Sequence, residues 1–298
     1  MNYQHAFHAG NFADVHKHVV LTRILEHLRS KPAAFRVIDS HAGAGRYDLL
    51  GAEATRSGEW HAGIERVVSA ARQATLPGGA QSAVSQTAAR KLLAPYLDII
   101  AALNPGGTLR FYPGSPLVAN ARLRPQDRLI ACELEPHAAS LLKTVLRGET
   151  RAKVLTIDGW TALNANVPPK ERRGVALIDP PYEAADDFIR LSAALGQAHR
   201  KWPTGIYMAW YPIKQRNAPD ALALRLRRLG VPKILRCELT LGPPRAEAGL
   251  VGSGLVVVNP PYGLEEELRV VLPALADVFS PDAGFALGWL AGERDKDA

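Results

Sequence analysis

The apolar positions of the chain fall into two alternating patterns. Short apolar runs, each closed by polar or turn-forming residues, occur at Arg36-Val37-Ile38-Asp39, Leu129-Ile130-Ala131-Cys132, Ala152 to Ile157, Val175-Ala176-Leu177-Ile178, Thr204 to Tyr211, Lys233 to Leu241 and Gly254 to Val258. Continuous runs of this length predict strands covered on both faces. Between most of them lie helical stretches such as Phe188 to Arg200 and Ala218 to Leu229. Strand–helix alternation predicts a mostly parallel sheet with helices on both faces. Only the Gly/Pro-rich segment 242–253 separates the last two runs, so that pair is expected as an antiparallel hairpin. A helix is expected from Asp14 through Val15, Val19, Val20, Ile24, Leu25 and Leu28, preceded by an ordered loop.

One gap breaks the alternation. Val37-Ile38 runs into Ser40-His41-Ala42-Gly43-Ala44-Gly45, a strand followed by Gly-x-Gly, as in the first turn of nucleotide-binding α/β folds. In such folds the acidic residue that holds the ribose follows the second strand about 20 residues later. Glu59 and Glu65 end no apolar run; the next residue that does is Glu133. An insertion therefore separates the first two core strands. Within residues 51–107, helical spacing is carried by Ile64, Val67, Val68 and Ala71, and by Leu92, Leu93, Tyr96, Leu97, Ile100 and Leu103. Pro77-Gly78-Gly79 and Pro105-Gly106-Gly107 punctuate them. The expected organisation is a Rossmann-like domain of residues 1–50 and 108–298 with an inserted helical subdomain at 51–107. Phe111-Tyr112-Pro113-Gly114-Ser115-Pro116 reads as a loop, either a plain turn or one that faces a ligand.

With 298 residues, 47% of them hydrophobic, the chain can bury a sizeable core and is not of disordered composition. Its formal charge of +7 fits a polyanionic partner, most simply nucleic acid, as well as a merely basic protein. Cys132 and Cys237 both lie in apolar runs, which predicts buried free thiols and fits a reducing compartment. The amino terminus has no signal-peptide pattern, and no apolar run reaches the ~18 residues of a membrane span. A cytoplasmic protein is expected. Residues 1–18 hold four histidines, but His16 and His18 point to different sides of a helix, and no metal is expected.

Chemistry concentrates at Asp179-Pro180-Pro181-Tyr182, where two prolines stop a buried strand. Asp179 therefore sits at a carboxyl strand end, where open α/β sheets bind ligands. The tetrapeptide resembles the active-site motif of amino-group methyltransferases, which use S-adenosylmethionine. An exocyclic adenine nitrogen is a poor nucleophile because its lone pair is delocalised. Hydrogen-bond acceptors at the Asp179 carboxylate and the Pro180 carbonyl would make it more pyramidal and aim the lone pair. Ionised Asp179 is acceptor-only, and Tyr182 offers a face for stacking. Glu133 would accept the ribose hydroxyls, Asp158 the adenine amino group beside Gly159, and the Gly43–Gly45 turn would pass under the methionine part. Seven strands with a terminal hairpin is the architecture of class I methyltransferases. Asn259-Pro260-Pro261-Tyr262 also follows a buried strand, but too little chain remains for the strands that would have to follow; it reads as a structural strand end.

The strings Tyr3-x-His5-x-Phe7-His8-Ala9-Gly10-Asn11, Ala13-Asp14-Val15-x-Lys17-His18, Asp39-x-His41-Ala42-Gly43-Ala44-Gly45-Arg46-Tyr47, Tyr112-Pro113-Gly114-Ser115-Pro116 and Arg172-Arg173-Gly174 resemble the ribosomal RNA large-subunit methyltransferase J family nearly end to end. The resemblance implies a monomeric enzyme that methylates N6 of one adenine, adenine 2030, in 23S ribosomal RNA. It implies cofactor contacts from His18, His41, Ser115, Glu133, Asp158, Gly159 and Asp179, with Lys17 joining that site, Asp179 also catalytic, and Tyr3 on the RNA. Cys132 stands where a small polar residue is usual. Two alternatives stay open: a DNA adenine methyltransferase, against which no separate target-recognition domain is evident, and a catalytically silent RNA-binding module, against which Asp179 and Tyr182 stand intact.

Overall fold

The computed structural model describes residues 4–73, 83–242 and 249–292. The expected contact of Tyr3, the Pro77-Gly78-Gly79 break and residues 243–248 of the turn between the last two apolar runs lie outside the described residues. After a short 3₁₀ turn at His5–Phe7, the chain forms α1 (Phe12–Arg29), β1 (Arg36–Asp39), β2 (Arg46–Asp48), α2 (Ala52–Ser57), α3 (Ile64–Arg72), α4 (Ala83–Leu103), β3 (Phe111–Pro113) and α5 (Ser115–Ala121). Then come β4 (Arg128–Cys132), α6 (Pro136–Val145), β5 (Ala152–Leu155), α7 (Gly159–Asn166), β6 (Gly174–Ile178), α8 (Asp187–Lys201) and β7 (Ile206–Ile213). The chain finishes with α9 (Asn217–Arg228), β8 (Ile234–Thr240), β9 (Gly252–Val258), α10 (Leu264–Phe279) and β10 (Gly284–Ala291).

Among the described residues, eight strands form one sheet in the order β10-β8-β9-β7-β6-β1-β4-β5. The five from β7 to β5 are parallel; β8 and β9 form the expected antiparallel pair. The expected count of seven is corrected to eight, because β10 adds to the free edge of β8 in antiparallel register. Its sequence, with Gly284 and Gly288 among small residues and most positions partly exposed, lacks the dense apolar run that marks the inner strands.

Side-chain alternation divides the core. Val175 and Leu177 of β6 join α1, α5 and α6 on one face; Ala176 and Ile178 join α7, α8 and α9 on the other. Helices α2–α4 share a core with α1 and α10, in which Trp60, Ile64, Leu93 and Tyr96 meet Val15, Val19, Val271 and Leu275.

The reading of Phe111–Pro116 as a loop is also corrected. Arg46–Asp48 and Phe111–Pro113 pair as an antiparallel two-stranded ribbon, with Arg46 opposite Pro113. Pro113 ends its strand, where no further ladder bond is needed, and Pro116 lies in the first turn of α5, where a missing N–H is harmless. The ribbon brings Ser115 back to the carboxyl end of β1.

Candidate active site

Helix α1 is buried along most of its length, polar residues included, so each polar side chain in it needs a partner. Asn11 caps the helix, its side chain accepting from the Asp14 amide at 2.9 Å. Lys17, one turn further on, places Nζ 2.9 Å from Asp14 Oδ1 and 2.5 Å from Asp179 Oδ2. Side-chain exposures of 6% for Lys17 and 14% for Asp179 make this a buried pair, where removal of one partner strands the other's charge. Asp14 also accepts from His5 Nε2 at 2.9 Å and from the Gly10 amide at 3.0 Å. Burial pushes the Asp14 carboxyl up, yet the facing His5 and Lys17 hold it well below the usual range. The segment before α1 is pinned to the inserted helices: His8 and Asn11 both reach Glu59, and Ile64 donates to the Gly10 carbonyl. The amino-terminal string therefore sets the position of α1 and, through it, the lysine that meets Asp179.

Carboxylates close the parallel strands on the same edge. Asp39, at the end of β1, is wholly buried, and neither of its carboxylate oxygens makes a well-formed hydrogen bond. Burial pushes its pKa up to about 7; the Ser115 hydroxyl pulls the other way, and Asp179 adds to the rise. Beyond β4, Glu133 accepts from the Gly43 amide at 2.7 Å and from the Glu135 amide at 2.8 Å. Gly43 has φ 63°, and a Cβ there would lie 2.3 Å from the Tyr47 hydroxyl, so the turn demands glycine. Beyond β5, Asp158 caps α7 through the Thr161 amide. A Cβ on Gly159 would lie 2.4 Å from the Ser40 carbonyl and 2.5 Å from His41 Nε2, so glycine lets α7 start directly against the first loop.

The two expected histidines are neutral. Burial lowers His41 to about 4 and His18 to about 3. His41 bonds Ser40 Oγ at 2.8 Å and sits edge-on to Trp160. His18 Nδ1 lies 2.9 Å from the Tyr112 hydroxyl, which in turn meets Tyr96.

Tyr182 has φ 53°, a strained conformation for a bulky side chain. Its ring is half-buried, 4.8 Å from Phe188 and 5.7 Å from Trp210 between centroids, and its hydroxyl donates to the Trp210 carbonyl at 2.5 Å. Lys17 Nζ lies 5.8 Å from the Trp210 centroid. Pro180 is buried between Asp179 and this aromatic wall. The structure thus brings Lys17, Asp179, Tyr182, Ser115, Glu133 and the Gly43 turn to one sheet edge, with His18, His41, Asp158 and Gly159 around it. Reading the residues missed Asp14, Asp39 and Trp210. Asp39 closes an apolar run just before the glycine turn, a signal as clear as that of Glu133. Asp14 and Lys17 lie at i, i+3 on one helix, which also could have been read. Among the described residues no cluster of His, Cys, Asp and Glu suits a metal ion.

Comparison with known proteins identifies relatives along nearly the whole chain. A family model described as RsmJ, Ribosomal RNA large subunit methyltransferase D, RlmJ, matches residues 32–291. Ribosomal RNA large subunit methyltransferase J of Escherichia coli (strain K12) is 38% identical over 295 residues, 98% of this chain and 100% of that protein. The Haemophilus influenzae protein of the same name is 37% identical over 296 residues, with 98% and 100% covered. A crystal structure of a Legionella pneumophila protein superposes with a TM-score of 0.83 at 34% identity, covering 94% of this chain and 98% of that one.

Proposed function

The chain belongs to the RsmJ family of large-subunit ribosomal RNA methyltransferases, and from that premise we propose that the Asp179 cleft methylates the exocyclic N6 of an adenine in 23S ribosomal RNA, adenine 2030 by the family resemblance. The cofactor is S-adenosylmethionine, which when bound supplies an electrophilic methyl group on a sulfonium. The observation that carries the reading is Asp179, fixed at the end of β6 by Lys17 at 2.5 Å and flanked by the Pro180 carbonyl.

The residues present fit such a cofactor. Its ammonium and sulfonium are cationic, and the buried Asp39 carboxylate, without a well-formed hydrogen bond, offers a counter-charge beside the Gly43 turn. Glu133 would hold the ribose and Asp158 the adenine, beside Gly159. His18, His41 and Ser115 would line the same site, and neutral imidazoles do not repel a cation. Asp179 and the Pro180 carbonyl would accept the two amino hydrogens of the target base and aim its lone pair. Lys17 holds the carboxylate in one orientation between Asp14 and the aromatic wall, so no reorganisation is needed when the base arrives. Tyr182 and Trp210 would flank a flipped base. Tyr3 is the further RNA contact that the family resemblance implies.

Helices α2–α4 act in this reading as an inserted subdomain, residues 51–107, that buttresses α1. The enzyme acts as a monomer in the cytoplasm, where the ribosomal RNA is; no helix among the described residues is long and apolar enough to cross a membrane. The test is incubation with labelled S-adenosylmethionine and unmodified 23S RNA. Label is expected in N6-methyladenosine after nuclease digestion, and its absence there overturns the reading.

A further inference from the structure

The site at Asp179 leaves one motif without a role, Asn259-Pro260-Pro261-Tyr262. Strand β9 runs antiparallel to β7, with Val258 opposite Tyr207, so this loop emerges where the parallel strands begin. That is the sheet edge opposite Asp179, separated from it by the length of β6, roughly 17 Å at about 3.3 Å per residue. At this edge an open cavity of about 440 Å³ lies between His27, Lys31 and Arg173 on one side and Asn259 and Tyr262 on the other.

Tyr262 is 98% exposed. It is nonetheless held on a fixed base: the Asn259 amide donates to the Pro203 and Gly205 carbonyls, both at 2.8 Å, and Gly263 turns the chain into α10 at φ 85°. The loop therefore presents an aromatic face to water beside a cavity.

The cavity wall facing it is basic, while the first turn of α10 beyond the loop carries Glu265, Glu266 and Glu267, of which Glu265 pairs with Arg269. Arg173 donates to the Leu28 and Ala33 carbonyls, and the Arg124 guanidinium donates to the same Ala33 carbonyl. Asp127 pairs with Arg124 and acts on Arg173 only from a distance, without an ion pair. Among the described residues neither Lys31 nor Arg173 makes an ion pair. Glu267, the carboxylate that meets His27, is already matched by Arg23.

An exposed aromatic on an anchored loop beside basic side chains is how proteins take up single-stranded nucleic acid: bases stack, and phosphates meet the charge. The cavity volume is in the range of sites for one small ligand. We propose that this cavity is a second RNA-contact site, which takes one unpaired nucleotide of the substrate strand, its base on Tyr262 and its phosphate between Lys31 and Arg173. The proposal rests on the ribosomal RNA reading above.

Fluorescence anisotropy with a 23S RNA fragment that the enzyme methylates tests it. Tyr262→Ala should raise Kd about fivefold or more, the loss of one stacked base, while Tyr262→Phe keeps the wild-type Kd. Lys31→Ala should flatten the slope of log Kd against log salt by about 0.7, the loss of one phosphate contact. Random 4-thiouridine crosslinking should label the peptide that contains Tyr262. Unchanged Kd in Tyr262→Ala and unchanged slope in Lys31→Ala, with the RNA methylated normally, overturn the second site and leave the function standing. If the wild-type protein neither binds nor methylates the RNA, both readings fall.

Discussion

Two Pro-Pro-Tyr loops end two buried strands of the same sheet, and they differ in every property that matters for chemistry. Strand β6 is parallel to its neighbours, so its loop opens at the edge where Asp39, Glu133 and Asp158 also lie. Strand β9 is antiparallel to β7, so its loop opens at the other edge, beside His27, Lys31 and Arg173. Asp179 faces a lysine; Asn259 spends its amide on two backbone carbonyls. The left-handed residue is Tyr182 in one loop, φ 53°, and Asn259 in the other, φ 51°. Asparagine adopts that conformation readily, whereas a tyrosine held there stores strain of order 1–2 kcal/mol. The strained loop is the one that faces the ligand edge. Strand direction and the residue before the prolines, not the tetrapeptide, decide what such a loop can do.

The largest expected effect separates the two loops outright. Asp179→Ala should lower kcat about 10³-fold or more with circular dichroism unchanged, because it removes the acceptor that aims the base. Full activity in that variant would sink the catalytic assignment. Lys17→Met should come next, with kcat about 10²-fold lower, since Asp14 and Asp179 then face each other without the cation between them. Retained kcat would show that Asp179 needs no such positioning.

Asp39 gives the pH-dependent test of the ligand edge. Its folded-state value of about 7 lies above 3.8, so its protonated form is favoured by folding, and that contribution is lost as pH rises through about 7. The cofactor-free Asp39→Asn variant should therefore gain stability over wild type as pH rises from about 4 to 7, by up to about 4 kcal/mol. Binding of a cationic cofactor needs the ionised form. Wild-type affinity for S-adenosylmethionine should thus weaken up to about tenfold per unit as pH falls below 7, and Asp39→Asn should lose that dependence. Urea unfolding between pH 4 and 7 checks the stability difference and calorimetric titration at pH 6 and 8 the affinity; a pH-independent wild-type affinity counts against the role of Asp39.

Much of this was legible before any coordinates. Continuous apolar runs located the six inner strands because burial on both faces leaves no polar alternation to confuse them, and β5, at one edge, still carried the run Val154-Leu155. The eighth escaped because an edge strand with two glycines carries little of that signal. Phe111–Pro116 was misread because proline was weighed only as a breaker, when Pro113 closes a strand and Pro116 opens a helix. The meeting of Lys17 with Asp179, 162 positions apart, has no spacing signature at all. The family likeness implied only that Lys17 joins the cofactor site, and the buried course of α1 explains why it meets Asp179. Asp39 was within reach, since it closes an apolar run as Glu133 does, but the eye passes from the strand to the glycines.

The smallest expected effect on activity belongs to the second loop, and it is the sharpest check on the comparison. Asn259→Asp would make the two tetrapeptides identical while leaving φ 51° tolerable. The new carboxylate could not donate to the Pro203 and Gly205 carbonyls and would face them with like partial charge. Loss of two hydrogen bonds should destabilise the protein by about 2 kcal/mol, read as a lower urea midpoint with unchanged slope. Transfer activity should stay at wild-type kcat, and adding Asn259→Asp to an Asp179→Asn background should restore none. If that double variant recovered methylation, an Asp-Pro-Pro-Tyr string would suffice wherever a buried strand ends, and the direction of the strand would not matter.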